Sequence, residues 1–433
     1  MWVLRRKLTT VLTAVLTAGV LACFGAKDCS LTHIALIPLN DLGPGLYKGL
    51  PGGLYPNGTD TRPVSHLAAG IDIAKNQIKP LDSTGKPDSV NGKIVLISIG
   101  MSNTTQEFAT KGSGAFKPRA DADKSKNPQL QIVDCAQGGK AASDWRDPNS
   151  DTWRVASMRL ASAAVTPPQV QVAWVKLAER GSDLPDKSFP AHAQFLQGHI
   201  KEVLRILKNS YPNVKIAYLS GRTRAYDNNP NSLNPEPIAY ESSFSVKWTI
   251  EDQLNNRGNL NYDSAKGQVV APYLSWGPYI WTDGTTPRSD GFIWLCEETE
   301  SDGIHPSAAG VIKVADQLLA FFKTDPTATP WFLKIPSQTV NCTATADVAS
   351  GKPPLTVSFS GSGSSPAGKI VEYAWTFDDG DFSFSQNPVK IFPALGSYTV
   401  HLTVTDEAGN TATRAVPINV TQTGEEPRPR RRP

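Results

Sequence analysis

The stretch Lys93-Ile-Val-Leu-Ile-Ser-Ile-Gly-Met-Ser-Asn103, "KIVLISIGMSN", decides how the rest of the chain is read. Its apolar run predicts a buried strand over 93–99, too short for a helix and bounded by glycine. Ser102 stands just past the carboxyl end of that strand. In open parallel sheets this is where ligands and catalytic groups collect. Taken alone, Ser102 could equally be a loop residue, so the decision falls to the segments around it.

Working outward, apolar runs at 130–135 ("LQIVDC"), 170–176 ("VQVAWVK") and 214–220 ("VKIAYLS") read as further strands, with helical patterns at 153–164 and 193–210 between them. The second helix sets Phe195, Leu196, His199, Ile200, Val203, Leu204 and Leu207 along one stripe. A last helix starts at the N-cap Ser307. Strands and helices in alternation, with strands apolar on both faces, predict an α/β domain over 91–333: a three-layer α/β/α sandwich with a parallel sheet. Residues 23–90 read as a loop-rich N-terminal extension, dense in turn signals at 41–60.

From 337 to 421 the texture changes to alternating β runs separated by Gly, Ser and Pro, the pattern of a small all-β sandwich. The Pro- and charge-rich end, 422–433, reads as a disordered tail. At the other end, Arg5, Arg6 and Lys7 precede a short apolar stretch ending in small residues, the layout of an export signal over 1–22. Val20-Leu21-Ala22-Cys23 resembles a bacterial lipobox, which would lipidate Cys23. Cleavage after Ala22 or Ala26 is the alternative. The expected location is therefore secreted, periplasmic or cell-surface, with membrane contact only through an N-terminal lipid.

The 433 residues carry a net charge of +3 with 39% hydrophobic and 19% charged residues, which suits folded domains. No basic stripe points to nucleic acid. No His/Cys spacing suggests a metal, and no glycine-rich phosphate loop opens a helix, so no cofactor is expected. Export permits disulfides. Of the five cysteines, Cys135 and Cys296 lie near converging segments and are the first pair to expect.

Ser301-Asp-Gly-Ile-His-Pro-Ser307 precedes the last helix. Spacing of three lets Asp302 accept a hydrogen bond from one nitrogen of His305 while the other faces outward. A serine hydroxyl needs such a base, held in the right tautomer, to act as a nucleophile. Singly, Asp302 and His305 read as a helix-cap pair and Gly138-Gly139 as a turn. Their ordered appearance at successive strand and helix junctions favours a site.

At this point the sequence resembles the SGNH (GDSL-type) hydrolases over about 91–325. "SIGMSN" matches the nucleophile block, with Met101 in place of the usual aspartate. "DCAQGGKAASDW" matches the glycine block, and "DGIHPS" the final D-x-x-H block. The third block departs: Val175, Lys176 and Leu177 stand where the family has Gly-x-Asn-Asp. The resemblance implies a serine esterase in which Ser102 is the nucleophile, His305 the base and Asp302 its orienter. The oxyanion hole would come from the amides of Ser102 and Gly139, with Lys176 or Asn103 replacing the lost asparagine. In the C-terminal part, Trp375, Asp379, Gly380, Gly396, Tyr398, Val400, Leu402, Val404 and Asp406 resemble the motif of PKD domains, Ig-like modules that imply a spacer or a weak polysaccharide or protein contact.

Tyr273, Trp276, Tyr279 and Trp281 crowd one segment and could form a platform for sugar rings, or pack beneath a long loop. Arg222, just past a strand end, could contact an anionic group or form an ion pair. The substrate expected is a small-molecule or glycan ester, with an acyl group on a carbohydrate first. The alternative from a different class is a catalytically inactive SGNH-like protein that binds a glycan at the cell surface. His66 reads as a surface-loop residue.

Overall fold

In the computed structural model, which describes residues 27–230, 232–334, 340–366, 368–407 and 409–422, the run at 93–99 is a central strand of a parallel sheet. The expected leader at 1–22, Cys23 and the tail from 423 onward lie outside the described residues. The chain divides into two compact units, meeting in sequence between residues 334 and 335.

The first unit carries five parallel strands: β1 (Ile94–Gly100), β2 (Leu130–Asp134), β3 (Val170–Lys176), β4 (Ile216–Leu219) and β5 (Tyr273–Trp276), in the order β2-β1-β3-β4-β5. β1 and β3 are buried along their whole length; both are mainly apolar, and the polar Ser98, Gln171 and Lys176 are buried with them. The larger helices are α1 (Val64–Asp72), α2 (Ser102–Thr105, running on as a wider turn to Thr110), α3 (Phe116–Ala122), α4 (Asp151–Ser162), α5 (Ala191–Ser210), α6 (Ile238–Leu254) and α7 (Ala308–Thr324). Val95, Ile97 and Ile99 of β1 pack with α4, α5 and α6. Ile94 and Leu96 pack with α3 and α7. Helices therefore cover both faces, and each strand's alternate residues feed separate cores.

β5 and α6 did not stand out in the sequence. The aromatic segment at 273–281 runs from the last strand into an ordered loop whose rings are buried. The extension also contains more structure than its turn signals suggest. α1 places His66 in the core, where Nε2–H donates to the Leu274 carbonyl at 2.8 Å and the ring stacks on Tyr273.

Cys296 pairs with Cys29, their Cα atoms 5.5 Å apart, and not with Cys135. Cys135 lies in the core on one face of the sheet and Cys296 in the core on the other, so the sheet itself separates them. The bridge ties the start of the described chain to the segment leading into His305. Beside it, Lys27 N–H donates to the Ser301 carbonyl at 3.1 Å.

The second unit is a two-sheet sandwich. Its strands are β6 (Asn341–Ala346), β7 (Ser350–Gly351), β8 (Leu355–Ser364), β9 (Ile370–Thr376), β10 (Phe382–Ser383), β11 (Val389–Phe392), β12 (Gly396–Asp406) and β13 (Thr411–Val420). The sheets run β11-β8-β6 and β10-β9-β12-β13-β7, enclosing Trp375, Val400, Leu402 and Val404.

Burial brings the His66 imidazole down to about 4, since protonation there would strand a charge in the core. A group protonated more readily when unfolded costs stability as pH falls. Full stability is present above the unfolded value near 6.5, and is lost between that and about 4. Urea unfolding of the wild type should lose roughly 3 kcal/mol over this window relative to His66→Gln. Parallel curves for the two proteins would refute the assignment.

Candidate functional site

The strand order reverses direction between β1 and β3, and a cleft opens at the carboxyl ends of such strands. Ser102 begins α2 directly past β1. As the first helical residue its N–H has no acceptor within the helix. The Ser102 hydroxyl lies 2.7 Å from His305 Nε2. His305 Nδ1 in turn meets Asp302 Oδ2. Asp302 Oδ1 accepts the backbone N–H groups of Ile304 and His305, both at 2.9 Å, so the loop's own backbone also holds the carboxylate. Burial alone would raise the Asp302 carboxyl. The hydrogen bond with His305 and the two amides outweigh it and hold the group well below the usual carboxylate range. Ser102 and the Asp302–His305 pair, 203 positions apart at the serine–histidine contact, thus form one connected chain with the Nδ1–H tautomer favoured on His305.

On the other side of Ser102 lies the glycine loop after β2. A Cβ added to Gly138 would sit 4.0 Å from Ser102 Cβ, so the glycine loop lies in van der Waals reach of the nucleophile. Gly139 follows at φ +73°, a left-handed conformation that glycine adopts without strain.

The two side chains expected to complete the oxyanion hole have other work. Lys176 is fully buried, with Nζ bonded to Glu107 Oε1 at 2.6 Å and to Oε2 at 2.5 Å. Burial brings the Lys176 ammonium down to about 8 against the pull of Glu107. Asn103 is engaged by the His305 loop: its Nδ2 donates to the Ile304 carbonyl at 2.8 Å. That bond braces the nucleophile turn against the His305 loop. Each of the two side chains is thus engaged by a buried partner away from its expected role.

Trp276 and Tyr279 are likewise not a platform. They are 3% and 6% exposed, and they hold the N-terminal extension: Trp276 Nε1 donates to the Leu54 carbonyl at 2.6 Å, and Tyr279 Oη accepts Leu39 N–H at 3.0 Å. Arg222 is buried beyond the end of β4, with Nε and Nη1 making no hydrogen bond among the described residues. Burial pushes its guanidinium down, while the charges of Glu107, Asp302 and Glu236 favour it. It is an interior counter-charge and not an exposed contact.

Sequence reasoning missed Glu107 and Arg180. Glu107 had a signal, because a lysine at the end of an otherwise apolar strand requires a buried counter-charge. Arg180, whose Nη2 donates to the Gly139 carbonyl at 2.5 Å, gave none. Among the described residues, no group of His, Cys, Asp or Glu side chains is arranged to hold a metal ion.

Lys176→Met leaves Glu107 buried and unpaired, which should lower stability by about 3–5 kcal/mol. Lys176→Met combined with Glu107→Leu should recover most of that loss. Chemical denaturation of the three proteins checks both statements.

Comparison with known proteins identifies the second unit. A family model described as PKD domain matches residues 339–420. The chain is 38% identical over 55 residues to Collagenase ColA of Bacillus cereus, which is 13% of this chain and 6% of that protein. It is 36% identical over 85 residues to a microbial collagenase of Vibrio alginolyticus, 19% of this chain and 10% of that protein. The chain thus spans a tenth or less of the length of these curated relatives. Among solved structures, the PKD1 domain from the Vibrio cholerae metalloprotease PrtV is 33% identical, with 18% of this chain and 93% of that chain covered and a TM-score of 0.17. The PKD1 domain of Vibrio anguillarum Epp is 32% identical, with 19% and 98% covered and a TM-score of 0.17. Residues 339–420 of this chain belong to the PKD domain family.

Proposed function

We propose that the first unit is a serine hydrolase of the SGNH type that cleaves an ester. The observation that carries this reading is the hydrogen-bonded chain from Ser102 through His305 to Asp302, set beside the glycine loop at the carboxyl edge of the sheet. Ser102 Oγ attacks the ester carbonyl while His305 Nε2 takes its proton. His305 returns that proton to the departing alcohol, leaving an acyl group on Ser102. Water then attacks the acyl carbon, giving its proton to His305, and the acid leaves as Ser102 recovers its own. Asp302 stays ionised and orients the imidazole throughout. The amides of Ser102 and Gly139 receive the oxyanion.

An acylated carbohydrate is the substrate class to test first, although the burial of Trp276 and Tyr279 removes the aromatic argument for it. The leader-like N-terminus together with the Cys29–Cys296 bridge supports an exported protein, because such bridges persist in oxidising compartments. The PKD domain would act as a spacer or as a weak contact to polysaccharide or protein.

A second reading is favoured by one specific finding: Lys176 and Asn103 are both engaged by buried partners, Glu107 and the Ile304 carbonyl. On that reading the unit binds a glycan without turning it over.

Labelling with a fluorophosphonate separates the two. Wild-type protein should be labelled at Ser102, and Ser102→Ala and His305→Ala should not. With p-nitrophenyl acetate, Asp302→Asn should reduce kcat by about 1000- to 10,000-fold, the loss typical when a triad histidine loses its orienting carboxylate. A folded wild type that neither labels nor hydrolyses would leave the binding reading standing.

A further inference from the structure

We propose that Arg180 is the positioning residue of the oxyanion loop, acting from the end of β3 where the family's asparagine is missing. The inference rests on the esterase reading above. After β3 the chain runs alongside the glycine loop and grips it at three points. Ala142 N–H donates to the Ala178 carbonyl at 3.0 Å, and Ser143 N–H to Glu179 Oε2 at 3.3 Å. Arg180 Nη2 donates to the Gly139 carbonyl at 2.5 Å. The last contact falls on the residue whose amide the esterase reading assigns to the oxyanion.

Arg180 is itself held from both sides. Nη2 also reaches Asp144 Oδ2 at 2.6 Å, and Nη1 reaches Asp183 Oδ2 at 2.5 Å. Asp144 Oδ2 in turn accepts the Ala141 N–H at 2.8 Å, so the guanidinium braces the loop at Gly139 directly and at Ala141 through Asp144. Behind it, Glu179 is fixed by His199 Nδ1 at 2.7 Å, and the far nitrogen of His199 meets Arg146 Nη1 at 2.9 Å. The backbone from which Arg180 springs is therefore anchored.

This bracing matters because Gly139 has no side chain to restrain it. Its left-handed conformation has open space where a Cβ would stand, so packing does not hold the peptide in place. A rotation about the flanking bonds would turn its amide from the carbonyl under attack, and fixing the Gly139 carbonyl opposes that rotation. A planar fork with several donors is suited to bridging a carbonyl and a carboxylate at once, which a lysine ammonium does not match. The side chain is about a quarter exposed and its charge is shared between Asp144 and Asp183. Lys176, by contrast, is neutralised in the interior by Glu107.

The test uses the full chain and p-nitrophenyl acetate. Arg180→Ala should lower kcat about 10- to 100-fold, somewhat less than loss of a direct oxyanion donor, with KM changed less than about threefold. Its melting temperature should stay close to wild type. Free guanidinium at millimolar concentration should restore part of the lost kcat, a recovery that a purely structural role would not show. Arg180→Lys keeps the charge and loses the fork; it should also fall in kcat, and it serves if the alanine variant does not fold. Wild-type kcat in both variants, or a change confined to KM, overturns the inference while wild-type labelling leaves the esterase reading intact. If wild type itself neither hydrolyses the ester nor takes the fluorophosphonate label, the esterase reading fails and this inference falls with it.

Discussion

Two full charges with no solvent contact, Glu107 on the nucleophile helix and Lys176 at the end of β3, underlie the arrangement of the site. Burying either alone costs several kcal/mol, so each compels the other into place. Their pairing sets the turn after β1 against the neighbouring strand, and Thr104 Oγ1 adds a bond to the Lys176 carbonyl at 2.8 Å. With that helix fixed, Ser102 is positioned to meet His305 Nε2. The ion pair is better understood as a register pin than as a source of stability, because the desolvation of two charges offsets most of their attraction.

The His305 loop is brought to Ser102 by independent restraints. Asn103 reaches across to the Ile304 carbonyl, and Lys111 Nζ donates to the Pro306 carbonyl at 2.5 Å. The Cys29–Cys296 bridge and the Lys27–Ser301 contact secure the same segment from the other side. Asp302 is organised by amides of its own loop, so the base–orienter pair is a local unit that the rest of the fold has only to deliver. The glycine loop is held by the residues after β3. The nucleophile, the base and the oxyanion loop thus have separate supports that meet at the point where the strand order reverses.

The aromatic segment illustrates how composition misleads when its setting is unseen. Four large rings near glycine and proline can serve as a binding surface or fill the gap under a long connection. The extension at 39–54 lies over β5, and Trp276 and Tyr279 satisfy its backbone with their polar atoms while burying their rings. His66 was misread for the same reason. A single imidazole in a turn-rich stretch says nothing of Tyr273, which stacks on it, or of Tyr262, which meets it edge-on.

Much was legible in the sequence wherever the information is local. Short, mainly apolar runs marked β1, β2, β3 and β4, because strands covered by helices on both faces favour apolar residues. The helical stripe of α5, the Ser307 cap and the spacing of Asp302 and His305 are also properties of short segments. So are the alternating strands of the PKD domain. What tertiary structure alone decided are the pairings across distance: Cys29 and not Cys135 with Cys296, Glu107 with Lys176, Asn103 with Ile304, Arg180 with Gly139. The physical reason is common to all four. A sulfur, a charge or an amide donor advertises its need for a partner in the sequence, but which partner lies within 3 Å is set by the strand order and by the face of the sheet on which each side chain falls.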